Sequence, residues 1–103
     1  YYINTKKTLL EQEILVKTGG FLGFLGQVEV MNPGFTKEPF IDVDVREQTT
    51  FMVPAGMNRI ELKTPHPAAS YTLKENGTDS TTIVIQDKEA FWEVTEYMLV
   101  SMR

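Results

Sequence analysis

A single histidine, His66, and no cysteine narrow the chemistry open to this 103-residue chain before any fold is considered. Without cysteine there is no disulfide, thiolate metal site, thiol nucleophile or redox motif. A serine–histidine–carboxylate set would have to use His66, which stands between Pro65 and Pro67, and no Gly-x-Ser-x-Gly elbow occurs. His66 is therefore expected to be a surface histidine. Zinc would need carboxylates to complete its shell. Asp42 and Asp44, with Glu38 close by, offer oxygen ligands to calcium, but no Asp-x-Asp-x-Asp-Gly loop accompanies them. Alternating acids also keep an exposed sheet face soluble. The 14 acidic residues leave carboxylate catalysis open in principle, since the sequence does not give the separation on which it depends. The glycine-rich stretch 19–26 has no Gly-Lys-Ser/Thr ending, so it reads as a structural loop or bulged strand rather than a phosphate cradle. Asn76-Gly77-Thr78 matches a glycosylation acceptor and equally a turn. The expectation is a chain that is not an enzyme and needs no cofactor.

The elements that would position these residues are mostly strands. In Pro39-Phe40-Ile41-Asp42-Val43-Asp44-Val45-Arg46, the apolar Ile41, Val43 and Val45 alternate with charged residues, which predicts a half-buried strand with those three facing the core. Gln27-Val28-Glu29-Val30 alternates in the same way and stops at Asn32-Pro33-Gly34. Residues 49–53 and 58–63 read as short strands around Pro54-Ala55-Gly56, and 70–74 and 81–85 as a hairpin around Asn76-Gly77. The two prolines at 65 and 67 require a loop. Residues 8–17 combine a capping-box pattern at Thr8 and Glu11 with the β-favouring Ile14-Leu15-Val16, and a strand is expected there. Residues 91–100 are also expected as a strand, although Asp87 could cap a helix before them.

These elements predict a single domain over residues 1–103, mainly β, an antiparallel β-sandwich of jelly-roll or immunoglobulin-like type. An α+β arrangement with terminal helices is the alternative. Hydrophobic residues make up 42%, enough for one core. A formal net charge of −4 argues against a nucleic-acid partner, because such affinity rests on clustered Lys and Arg. No apolar run approaches a membrane span. The first residues, Tyr1-Tyr2-Ile3-Asn4-Thr5, lack an initiator Met, which suggests a processed product or an excised domain.

Val28-Glu29-Val30-Met31-Asn32-Pro33-Gly34, followed by Glu38-Pro39-Phe40-Ile41-Asp42-Val43, resembles a strand, turn and Pro-led strand found in β-sandwich accessory modules. It looks like the carboxy-terminal sandwich domain of long-tailed-phage distal tail proteins. Val53-Pro54-Ala55-Gly56-Met57-Asn58-Arg59-Ile60-Glu61-Leu62 is similar to a hairpin of sugar-binding and immunoglobulin-like modules. About a third of the chain is covered, and the resemblance implies fold rather than site residues. With it goes the expectation of a non-enzymatic structural or assembly module of an extracellular or virion-type particle, the alternatives being a carbohydrate-binding sandwich or a carboxylate-dependent hydrolase. A protein partner or a sister subunit is expected to contact Phe21, Leu22, Phe24 and Leu25, together with Phe91 and Tyr97 of the aromatic end segment, because so small an interior cannot readily cover them all.

Overall fold

The computed structural model describes residues 1–19 and 27–103. Among these residues eight strands dominate, in three sheets, with two short α-helices. The first sheet is ordered β1-β8-β5, with β1 (Tyr2–Thr5) parallel and β5 (Ile60–Leu62) antiparallel to a central β8 (Leu99–Met102). The second is a two-stranded ladder of β2 (Leu15–Gly19) and β3 (Gln27–Met31), in which Leu15 opposes Met31. The third is β4 (Thr50–Val53), β7 (Thr81–Ile85) and β6 (Tyr71–Glu75), all antiparallel with β7 in the middle.

Alternation builds the main core. Phe51 and Val53 of β4, Ile83 and Ile85 of β7, and Val100 of β8 all turn into one buried cluster with Phe91 and Met98. Ile3, Ile60, Leu62 and Leu73 pack against it, so both three-stranded sheets feed the same interior. Removing such side chains from water is the principal stabilising term here. The β6–β7 hairpin closes as expected, through Asn76 N–H donating to Ser80 at 3.0 Å, with Gly77 at a φ of 78° that glycine adopts without penalty. A second cluster joins Leu9, Ile14, Leu15 and Leu99, flanked by Tyr2, Met31, Phe35 and Phe40.

Three expected strands turn out differently. Residues 8–17 divide into the end of α1 (Lys6–Glu11), a turn, and the start of β2. The Thr5 hydroxyl accepts from Thr8 N–H at 3.2 Å, so the helix is capped three residues before the predicted box. Glu13, at φ 59°, then reverses the chain and delivers Ile14 and Leu15 into the core. Residues 91–100 likewise split. Asp87 accepts from Ala90 N–H and caps α2 (Lys88–Phe91), and only β8 at the far end joins a sheet.

The third correction concerns residues 39–46, which form no ladder with any other of the described residues. A single reciprocal pair ties Ile41 to Tyr1, at 2.7 and 2.6 Å, after which Asp44 bends the chain. Its carboxylate accepts from Arg46 N–H at 3.0 Å, and its carbonyl accepts from Glu47 and Gln48. An aspartate that satisfies the following amides competes directly with strand formation. Val43 still packs against the core, but Ile41 is 54% and Val45 39% exposed.

Candidate functional site

The bend at Asp44 leaves apolar side chains at the surface in a defined place. Ile41, Val43 and Val45 line a groove of about 230 Å³ with Tyr1, Phe40 and Tyr97, rimmed by Asp42 and Glu96. Val45 also walls a neighbouring depression of about 360 Å³ with Trp92, Arg46, Lys88 and Glu89. The two meet at Val45 and form a belt from Tyr97 to Trp92, rimmed by charges of both signs. Apolar side chains ringed by charge are the usual make-up of a protein-contact patch.

The base of the belt is a set of packed rings. Tyr97 meets Phe35 at 5.0 Å and Phe40 at 5.4 Å, both near-perpendicular, and Lys37 Nζ lies 5.8 Å from the Tyr97 ring centroid. Edge-on packing ties these rings to one another and gives no coplanar aromatic platform on which a sugar ring could stack. Trp92 packs at 82° on Phe91, and its buried Nε1–H finds no acceptor among the described residues.

Of the contact residues expected from sequence, Tyr97 lies in this belt. Phe91 does not. It is fully buried in the main core, its ring stacked on His66 at 3.8 Å and 7°, which removes it from any partner's reach. Phe21, Leu22, Phe24 and Leu25 fall outside the described residues. The belt's own apolar residues, Ile41 and Val45, are core residues by alternation and surface residues in the structure. A proline at 39 and an Asp able to bend the chain at 44 are the signals that would have placed them at the surface.

His66, expected at the surface, is half-buried and held on both ring nitrogens. Phe91 carbonyl can only accept, so the 2.8 Å contact fixes the hydrogen on Nδ1, and Nε2 accepts from the Thr64 hydroxyl at 2.7 Å. Thr64 Oγ1 in turn accepts from Leu99 N–H at 3.1 Å. Burial lowers the His66 pKa, with the Phe91 hydrogen bond opposing it. No serine enters this chain of bonds, so it is a structural clasp between α2, β8 and the loop before β6.

The remaining candidates are plain. Asp44 is engaged by Arg46 at 3.3 Å, and no group of three His, Asp or Glu side chains among the described residues converges as a metal site. The Lys6 ammonium, hydrogen-bonded to Glu29, and the Arg46 side chain, hydrogen-bonded to Asp44, both lower the carboxylate pKa, the opposite of what a general acid requires. No helix among the described residues is long and apolar enough to cross a membrane. No family model, curated protein or solved structure matches this chain.

Proposed function

We propose that this chain is a non-enzymatic assembly module of β-sandwich architecture, which joins a protein partner or a sister subunit through the belt from Tyr97 to Trp92. The observation that carries this reading is the exposure of Ile41 and Val45 in a segment patterned as a strand yet without a ladder among the described residues. Such a segment keeps free backbone groups beside apolar side chains, the combination a docking strand or hairpin uses. The shared interior of the two three-stranded sheets supports the sandwich architecture, and accessory modules of extracellular or virion-type particles, phage distal tail proteins among them, are the setting in which the reading fits best.

Light scattering with the purified chain tests it, together with cross-linking in its native extract. A Val45→Asp variant is expected to keep its unfolding midpoint while self-association, or capture of the native partner, falls at least about tenfold. A strictly monomeric protein whose cross-linked products are unchanged in Val45→Asp would sink the assignment.

A further inference from the structure

On the flank of β5, away from the belt, the chain gathers charge out of proportion to its composition. Lys6 at the start of α1, Arg59 before β5, Lys63 after it, and Arg103 after β8 line one cavity of about 140 Å³ with Glu29, Glu61, Ile60 and Ser101. Four cations face two carboxylates there, in a chain whose net charge is −4.

The acids are already committed. Lys6 Nζ lies 3.0 Å from Glu29, and Lys63 is paired with Glu61. Lys63 also donates to the Glu29 carbonyl at 2.9 Å, and its side chain is only 10% exposed, so its ammonium is held at the cavity wall by backbone as well as carboxylate. That leaves the guanidinium groups of Arg59 and Arg103 without a side-chain carboxylate partner among the described residues. Arg59 spends one N–H on the Arg103 carbonyl, at 3.4 Å, and keeps the rest of its fork. Ser101, itself buried, lines the same cavity and can present its hydroxyl. The space equals several water volumes.

We infer that this cavity binds a small tetrahedral oxyanion, a phosphate or phosphate ester, held by Arg59 and Arg103 with Lys6 and Lys63 completing the positive field. Guanidinium forks match tetrahedral oxyanions in a bidentate manner, and cationic side chains outnumber carboxylate side chains around the cavity, which favours phosphate over a carboxylate. The site is independent of the proposed contact belt, with which it shares no residue. Glu29 is its internal competitor, since it occupies the Lys6 ammonium that an incoming anion would use.

The test is a titration of the wild-type chain with inorganic phosphate in a low-salt cationic buffer, followed through backbone amide shifts, with chloride at matched ionic strength and acetate as the other arms. Saturable shifts confined to residues around Arg59, Glu61 and Ser101 are expected, with acetate at least about tenfold weaker. Arg59→Gln, at an exposed position, should weaken phosphate at least about tenfold without moving the unfolding midpoint. Glu29→Gln should tighten it by freeing Lys6. Linear shifts matched by chloride, an acetate response equal to that of phosphate, an unaltered Arg59→Gln titration, or no tightening in Glu29→Gln would each overturn the inference.

Discussion

Residues 41–45, apolar at every second position, and 81–85, Thr-Thr-Ile-Val-Ile, are both β-favouring runs of five, and they come to opposite ends. In β7 the three odd-numbered side chains, Thr81, Ile83 and Ile85, are buried and both backbone edges are paired, by β4 and β6. In 41–45 only the middle side chain reaches the core, and among the described residues one reciprocal pair to Tyr1 is the whole of its extended pairing. Alternation states which side chains can share a face. Neighbours on both edges turn that possibility into a strand, and where an Asp can satisfy the next amides itself, the neighbour is not recruited.

The sharpest way to break this contrast is to truncate one residue from each segment. Ile83→Ala removes a wholly buried side chain between two paired strands, and a loss of about 2–5 kcal/mol is expected by urea denaturation. Ile41→Ala should change stability by less than about 0.5 kcal/mol. Comparable losses in the two variants would place Ile41 in the core after all.

A middle-sized effect is expected where a side chain substitutes for a ladder. Thr64 Oγ1 accepts from Leu99 N–H at the entry to β8, and Thr64→Val keeps the shape while stranding that buried donor, at a cost of about 1–3 kcal/mol. A neutral outcome would mean that the backbone of β8 finds another partner there.

The smallest effect is pH-linked. Burial favours neutral His66 in the folded chain, so the folded state binds fewer protons than the unfolded one. Stability should be fullest above pH 6.5, the ordinary histidine value, and decline as pH falls through the lowered one. Denaturation midpoints between pH 7.5 and 5.5 should show this slope in the wild type and a flatter one in His66→Gln; parallel slopes would assign the loss to other groups.

Local chemistry made much of the fold readable. The β6–β7 hairpin is written in Asn76-Gly77 between β-rich runs, β3 and β5 follow from short alternating stretches, and β4 from a β-rich run stopped at Pro54. What stayed hidden depended on distant partners. Thr5 rather than Thr8 caps α1, because the helix must end in time for Ile14 and Leu15 to meet Leu99. Phe91 looks like a contact residue until His66, 25 positions earlier, is laid against it. The contact belt was illegible for the same reason, since exposure of Ile41 and Val45 follows from the absence of a neighbour.

The parallel pairing of β1 with β8 sets Tyr2 opposite Leu99. The middle strand of the first sheet thus lies some hundred positions along the chain from β1, and neither β1 nor β5 has its partner in that sheet until residues 99–102 are in place. Closing so long a loop costs chain entropy before it returns any contact energy, and chains dominated by such distant pairings fold slowly. During synthesis the antiparallel trio of β4, β6 and β7 can assemble on its own from residues 50–85, whereas Ile3, Ile60 and Leu62 must wait with their apolar faces bare.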